Sequence, residues 1–140
     1  MRRVLLLGFS VLLGLGMACG DDGDGGNGTE TEGAAGFANE KTNFVRVQCT
    51  CLAGGGEIVP ENNACVRQNL GSDSACEEEV LEERWDELRV GGNCMRDAYI
   101  ATRECLLDNR CDVEGCLGVL QNATERCPAN VKDALSECTG

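Results

Sequence analysis

Cysteine is the residue with the clearest chemical potential in this sequence, which has eleven cysteines and no histidine among 140 residues. Four cysteines are evenly placed, because Cys94 and Cys105 are eleven residues apart and so are Cys116 and Cys127. Eleven residues make about three turns of α-helix, so the two cysteines of each pair share one side of a helix. If the chain turns back between the pairs, Cys94 lies opposite Cys127, and Cys105 lies opposite Cys116. The spacing therefore predicts an antiparallel helical hairpin with a disulfide at each end.

The other cysteines of the C-terminal two thirds leave their pairing open. With the hairpin bridges in place, Cys76 most naturally meets Cys111 in the loop between the arms. A competing pair is Cys76–Cys105, because a turn at Gly91 would place these two cysteines opposite each other. Each bridge is expected to stabilise the fold by roughly 2–4 kcal/mol. Four cysteines would then share two further bridges: Cys49, Cys51, Cys65 and Cys138.

Metal binding and redox catalysis are the alternative uses of these thiols. Cys49 with Cys51, and Cys111 with Cys116, are candidate ligand pairs. Without histidine a zinc site needs four thiolates, and the C-x2-C spacing typical of structural zinc is absent from the sequence. Redox catalysis usually uses Cys-x-x-Cys, which is the same missing spacing. The sequence also lacks a Gly-x-Ser-x-Gly motif and a phosphate-binding loop. We therefore expect a disulfide framework with no metal, no cofactor and no catalytic residue.

The composition limits the compartment and the partners. Acidic residues outnumber basic ones by 24 to 12, and the formal net charge of −12 disfavours binding to nucleic acid. Aromatic residues are scarce, and beyond residue 40 there are only Phe44, Trp85 and Tyr99. A core poor in aromatic side chains buries little area per residue, so cross-links are expected to supply stability. Many disulfides indicate an oxidising compartment outside the cytosol.

The N-terminus has the pattern of an export signal over residues 1–18. Arg2 and Arg3 precede an apolar run over residues 4–15, which is too short to cross a bilayer comfortably. Ala18 is a small residue directly before Cys19. This arrangement resembles a bacterial lipoprotein signal, which implies that Cys19 is acylated, for example with palmitate, and attaches the mature protein to a membrane.

Two features of Cys19 bear on that resemblance. The position three residues before it, where such signals usually carry Leu, Val or Ile, is Gly16, with Leu15 one place earlier. The alternative is an ordinary cleaved signal that leaves Cys19 as a disulfide partner. The number of cysteines favours acylation of Cys19. Eleven cysteines cannot all form disulfides with one another, whereas the ten that remain without Cys19 can.

Residues 19–43 are predicted to be a flexible acidic, glycine-rich linker. Gly, Asp, Glu, Thr and Asn dominate it, and Phe37 is its only large apolar residue. Such a segment buries too little surface to offset its ordering entropy. As a flexible coil of this length it would span roughly 26 Å.

The folded domain is predicted to cover residues 44–140, to be mainly α-helical, and to begin with a small β-hairpin. Apolar and polar residues alternate over residues 44–51, which is typical of a half-buried strand, and a return strand is expected over residues 57–59 after three glycines. The following helices are expected at residues 61–70, 74–90, 93–108, 112–127 and 129–138. Their signals are a Ser74/Glu77 capping box, a stop at Gly91-Gly92, and N-caps at Asn93 and Asp112.

The layout as a whole resembles small cysteine-rich lipoproteins of myxobacteria. The resemblance is carried by residues 18–22 with the linker after them, by residues 47–51, and by the cysteine spacing from Cys94 to Cys127. It implies no assigned activity. The hairpin is also similar to the twin Cys-x9-Cys hairpins of mitochondrial proteins, although the spacing is one residue longer here and the signal differs, which indicates convergence.

These observations together predict a cell-envelope lipoprotein whose disulfide-stabilised domain has an interaction or structural role. Gly20 after the acylated cysteine resembles the outer-membrane sorting signal of enteric bacteria. The expected partners are the membrane, through Cys19, and an envelope protein whose identity the sequence does not give. The alternative function is an exported thiol-disulfide redox protein or a metal-binding cysteine-rich module.

Overall fold

The computed structural model describes residues 33–139, and within them the chain forms six α-helices and no β-strand. The predicted signal, Cys19 and the predicted linker up to residue 32 lie outside these residues. The prediction of a mainly α-helical domain is confirmed, whereas the β-hairpin is wrong. The helices are α1 (Ala34–Leu52), α2 (Ala64–Leu70), α3 (Asp73–Glu83), α4 (Trp85–Asp108), α5 (Val113–Glu125) and α6 (Ala129–Ser136).

Helix α1 occupies the region in which a linker end and a strand were predicted. It begins at Ala34 and packs against α2, α3, α4 and α5. The boundary at residue 43 was therefore about ten residues too late, and Phe37 is a core residue at 1% exposure. Because α1 is covered on several sides, Val45, Val47 and Cys49 are all buried, and this produces the alternation that resembles a strand.

The predicted return strand, residues 57–59, has no regular structure and is attached to α1 by side chains. Arg46 Nε donates to the Val59 carbonyl at 2.9 Å, and the Val59 N–H donates to Thr50 Oγ1 at 3.0 Å. Thr50 Oγ1 in turn donates to the Arg46 carbonyl at 2.9 Å. This network replaces the hydrogen bonds that a hairpin would have made.

Helices α3 and α4 are divided at Arg84 and not, as predicted, at Gly91-Gly92. Ser74 lies inside α3, which begins at Asp73 without a side-chain cap, so the capping box is wrong as well. Both glycines lie within α4 because they permit close packing. A Cβ on Gly91 would lie 2.5 Å from the Cβ of Val131 in α6, and a Cβ on Gly92 would lie 2.8 Å from the Trp85 ring.

Replacing Gly91 by alanine is expected to destabilise the protein, although alanine favours helix. The new methyl group would collide with the fully buried Val131 and push α6 from α4, at a cost of about 2 kcal/mol. Gly118 is the matched control, because it lies in α5 with open space around it, and Gly118→Ala should stabilise by about 1 kcal/mol. Urea unfolding of both variants measures this, and equal effects would contradict the packing role of Gly91.

Three further helix ends agree with the sequence signals, whereas Asn93, the predicted N-cap, lies inside α4, and α2 begins at Ala64 and not at residue 61. Helix α5 has Asp112 as its N-cap, and the Gly115 N–H donates to Asp112 Oδ1 at 3.1 Å. Helix α4 ends at Asp108, and α2 ends before Gly71, whose φ of 63° favours glycine. These termini fix the turn between α4 and α5 and therefore the geometry of the predicted hairpin.

Two hydrophobic clusters make up the core of residues 33–139, and Tyr99 packs against both. One cluster, around Phe37 and Leu88, joins the start of α1 to α3, α4 and α6. The other, around Phe44 and Leu106, joins the end of α1 to α2, α4 and α5. The Tyr99 ring stacks on Phe44 at 5.5 Å and meets Phe37 edge-on at 5.7 Å. This side chain therefore links the two halves of a thin core.

Tyr99 is expected to resist ionisation in the folded protein. Burial raises its pKa well above the ordinary value, and the nearby Glu77 carboxylate adds to the increase. Because the unfolded chain ionises first, stability should fall as pH rises above about 10. Tyr99 is the only tyrosine, so absorbance at 295 nm after a rapid pH jump reports on it alone. Titration of Tyr99 in the native protein near pH 10 would contradict its partly buried placement between the two clusters.

Candidate functional site

Five disulfides join the ten cysteines of the described residues. Two of them, Cys94–Cys127 and Cys105–Cys116, close the α4–α5 hairpin at both ends, with Cα–Cα distances of 5.6 Å. This confirms the pairing and the antiparallel arrangement inferred from the eleven-residue spacing. The other three bridges are Cys49–Cys65, Cys51–Cys111 and Cys76–Cys138.

The predicted partner of Cys76 is wrong. Cys76 pairs with Cys138, and neither Cys111 nor Cys105 is its partner. Both predictions assumed a turn at Gly91, but α4 continues past it, and α6 returns to pack on α3 and α4. Cys138 is therefore brought to α3 by a helix that the cysteine spacing alone did not place.

The pairing within α1 separates the Cys49-Thr50-Cys51 motif. Cys49 bridges to Cys65 in α2, whereas Cys51 bridges to Cys111 in the α4–α5 turn. The two sulfurs of the motif are thus committed to different partners, and the same holds for the Cys111/Cys116 pair. Within residues 33–139, no group of three or more Cys, Asp or Glu side chains is arranged to hold a metal ion.

Ion pairs tie α1 to its neighbours on the polar side of the core. Lys41 pairs with the buried Glu77 of α3, and Arg103 Nη1 of α4 lies 2.6 Å from Glu40 Oε2. Both pairs are partly shielded from water, so each acid is compensated by a base on another helix. They set the register of α1 against α3 and α4.

An acidic cleft lies beside the start of α1. We define it by Ala34, Ala35, Glu78, Glu82 and Trp85, which line it together. Glu78 and Glu82 are one helical turn apart on α3, where two like charges disfavour the helix. Both are exposed, and neither forms an ion pair within residues 33–139. The cleft therefore combines an aromatic wall with two uncompensated carboxylates.

Arg84, at the division between α3 and α4, is directed to a different carboxylate. Its Nη2 lies 2.9 Å from Glu87 Oε1, and its Nε donates to Glu87 Oε2 at 3.3 Å. These hydrogen bonds lower the pKa of Glu87 and raise that of Arg84. Arg84, which precedes the cleft residue Trp85 in the sequence, thus has its own partner and does not neutralise the cleft.

The sequence pattern predicts a helix around Trp85 but does not predict the cleft. The available signal was the only tryptophan of the chain three residues after Glu82, at the end of an acidic run. The contribution of Ala34 and Ala35 could not be found, because residues 19–43 were interpreted as a linker.

A second surface, which we call the small-residue groove, follows the seam between α4 and α5. It is lined by small side chains such as Ala98, Ala101 and Ala123, with the exposed Val90 at one end. Small residues let two helices approach closely enough to be bridged at both ends. The groove is therefore explained by the hairpin itself.

The turn between α4 and α5 has an unusual backbone. Arg110 and Cys111 have φ angles of 50° and 66°, which non-glycine residues seldom adopt. Backbone hydrogen bonds hold the turn, since the Cys111 N–H donates to the Leu106 carbonyl at 2.9 Å. The Cys51–Cys111 bridge attaches this turn to the end of α1.

Comparison with protein-family models, curated proteins and solved structures found no match to this chain. None of the helices formed by residues 33–139 is long and apolar enough to cross a membrane.

Proposed function

We propose that this protein is a cell-envelope lipoprotein, attached to a membrane through acylated Cys19, whose disulfide-stabilised domain binds a partner and performs no catalysis. One observation carries the proposal. The ten cysteines of the described residues pair with one another, so Cys19 is the one cysteine without a partner among them. An exported protein with one remaining cysteine directly after a signal-like segment is well suited to acylation at that residue.

The position of the acidic cleft suits a tethered domain. The described chain begins at Gly33, and the next two residues line the cleft. A tether that arrives here brings the cleft closest to the point of attachment. The opposite end of α1, a helix of 19 residues, lies about 28 Å away.

The chemistry of the cleft favours a partner segment that carries lysine or arginine. A cation is attracted by the face of a tryptophan ring and by the two neighbouring carboxylates. A net charge of −12 would also speed the approach of a basic protein and slow that of an acidic one. The proposed partner is therefore a basic segment of another envelope protein.

Metabolic labelling with a fatty-acid analogue tests the anchor. Wild-type protein should incorporate label and sediment with membranes, and Cys19→Ala should lose both properties. The double variant Cys105→Ala/Cys116→Ala is the control, because it also lacks two cysteines, keeps Cys19 and opens the shortest disulfide loop, and it should stay labelled. Undiminished labelling of Cys19→Ala would rule out the anchor.

Site-directed photo-cross-linking in intact cells tests the cleft. A photoreactive residue at Ala35 should capture a protein through a peptide containing Lys or Arg, whereas the same residue at the exposed Leu107 should not. Charge reversal by Glu78→Lys/Glu82→Lys should abolish capture at Ala35. The matched reversal Glu57→Lys/Glu61→Lys, in the loop before α2, should leave it intact. Capture that survives reversal in the cleft would contradict the proposed partner chemistry.

A further inference from the structure

We infer that Cys51–Cys111 is a site of thiol-disulfide exchange with an external thiol or dithiol, and that the other four bridges are purely structural. Accessibility is the first reason. Cys51 and Cys111 are both only half-buried, so a thiolate can approach this bridge. Each other bridge has one buried cysteine, and these are Cys49 at 2%, Cys116 at 1%, Cys127 at 4% and Cys138 at 8% exposure.

Backbone strain is the second reason. Among the cysteines of residues 33–139, Cys111 alone has a positive φ, and Arg110 before it has one too. A left-handed conformation is unfavourable for residues with a Cβ. The bridge joins Cys111, in this strained turn, to the end of α1. Strained and accessible disulfides are the ones that exchange most readily.

The surroundings of the two sulfurs give the exchange a direction. Cys111 follows Arg110 and lies between two helix ends: its N–H donates to the Leu106 carbonyl at the C-terminus of α4, and α5, whose first N–H groups carry partial positive charge, begins two residues later. Asp112, between them, directs its carboxylate to the Gly115 N–H as a cap. Cys51 lies in the last turn of α1, where unpaired carbonyl groups carry partial negative charge. The guanidinium of the adjacent Arg110 makes Cys111 the better leaving sulfur, so we assign Cys51 as the sulfur that is attacked.

The exchange follows from this polarity. The thiolate of an external dithiol attacks Cys51 Sγ, the Cys51–Cys111 bond breaks, and its electron pair leaves with Cys111 Sγ as a thiolate. The product is a mixed disulfide between Cys51 and the dithiol. The second thiolate of the dithiol then attacks the dithiol sulfur that is bonded to Cys51 Sγ. This step forms the oxidised dithiol and releases Cys51 as a thiolate. The protein gains two electrons and two protons, and the dithiol loses them.

Opening this bridge has a local consequence. Among the disulfides of the described residues, Cys51–Cys111 is the one that joins α1 directly to the α4–α5 hairpin. Both hairpin bridges persist, as do Cys49–Cys65 and Cys76–Cys138. We therefore expect the end of α1 to loosen against the α4–α5 turn while the rest of the domain stays folded. This inference is independent of the anchor and of the acidic cleft.

Limited reduction of the full exported chain tests the inference. The oxidised protein is exposed briefly to dithiothreitol, blocked with N-ethylmaleimide under native conditions, and analysed by peptide mass spectrometry. Cys51 and Cys111 should carry at least tenfold more label than any other pair, with helical circular dichroism retained. Earlier labelling of another pair, or labelling of all pairs together with loss of helix, would overturn the assignment.

The direction of exchange has its own test. A monothiol such as glutathione should be trapped as an adduct on Cys51, and an adduct mainly on Cys111 would overturn the polarity. Arg110→Asn keeps a residue that tolerates positive φ but removes the charge, and should slow reduction about threefold. Arg110→Lys keeps the charge and should not. The difference in reduction rate between Arg110→Asn and Arg110→Lys should shrink in 1 M salt, because salt screens the electrostatic effect of the charge at this position. An unchanged rate of reduction in Arg110→Asn would exclude a role for Arg110.

Discussion

Complete reduction of the five disulfides is expected to unfold residues 33–139 at room temperature. The core of this described part is thin, because it is divided into two clusters and residues 33–139 contain only four aromatic side chains: Phe37, Phe44, Trp85 and Tyr99. Each bridge lowers the conformational entropy of the unfolded chain and thereby stabilises the folded state by roughly 2–4 kcal/mol. Domains with small cores depend on this stabilisation. Circular dichroism at 222 nm, with and without a strong reductant, measures the change.

The control for this experiment is the same protein alkylated without prior reduction, which should keep its helical signal. Re-oxidation in a glutathione buffer should restore the signal of the reduced sample. A reduced and alkylated protein with unchanged helix content and a cooperative thermal transition would show that packing alone is sufficient, and would contradict this prediction.

Removal of Cys76–Cys138 is expected to be the more damaging of two matched bridge deletions. This bridge spans 62 residues, so the double variant Cys76→Ala/Cys138→Ala should lose about 4 kcal/mol of unfolding free energy. The Cys105–Cys116 bridge spans 11 residues, and Cys105→Ala/Cys116→Ala should lose about 3 kcal/mol. Longer loops cost more because the unfolded chain gains more freedom when they open.

Urea unfolding of both double variants under oxidising conditions gives the comparison. Each variant removes two cysteines and introduces two alanines, so the chemical change is the same and only the loop length and location differ. If deletion of Cys105–Cys116 were the more destabilising, loop length would not be the deciding factor, and the α4–α5 hairpin would depend on its bridges more than α6 does.

The hairpin was predictable from sequence because its information is local and periodic. Equal spacing in Cys94/Cys105 and Cys116/Cys127, together with the N-cap at Asp112, is sufficient to orient two helices and pair four sulfurs. The Cys76–Cys138 bridge was not predictable in this way. It depends on α6 folding back onto α3 and α4, a long-range contact that leaves no periodic signal in the sequence.

Two of the wrong predictions, the strand over residues 44–51 and the helix end at Gly91-Gly92, have the same cause. Tertiary packing can produce a residue pattern that looks like a local secondary-structure signal. Residues 44–51 alternate because α1 is surrounded by other helices, and not because they form a strand. Gly91 and Gly92 are compatible with a helix end, yet they serve the close approach of Val131 and the Trp85 ring. In both cases tertiary packing determines the residue type, and propensity alone gives the wrong element.

The candidate surfaces were harder to predict from the sequence than the fold was. The acidic cleft needs Ala34 and Ala35 beside Trp85, and that proximity exists only once α1 packs on α3. The exchange site needs the accessibility of Cys51 and the backbone of Cys111, neither of which has a sequence signature. The residue types were visible in the sequence, whereas their grouping depends on helix packing.

Disulfide mapping of the native protein is the most direct test of the central claim that all ten cysteines beyond Cys19 are cross-linked. The protein is alkylated without reduction, digested, and analysed for cross-linked peptides by mass spectrometry. The structure predicts five cross-links, Cys49–Cys65, Cys51–Cys111, Cys76–Cys138, Cys94–Cys127 and Cys105–Cys116, and no alkylated cysteine among these ten. Alkylation of several of them, or thiols released only by a metal chelator, would contradict the disulfide framework.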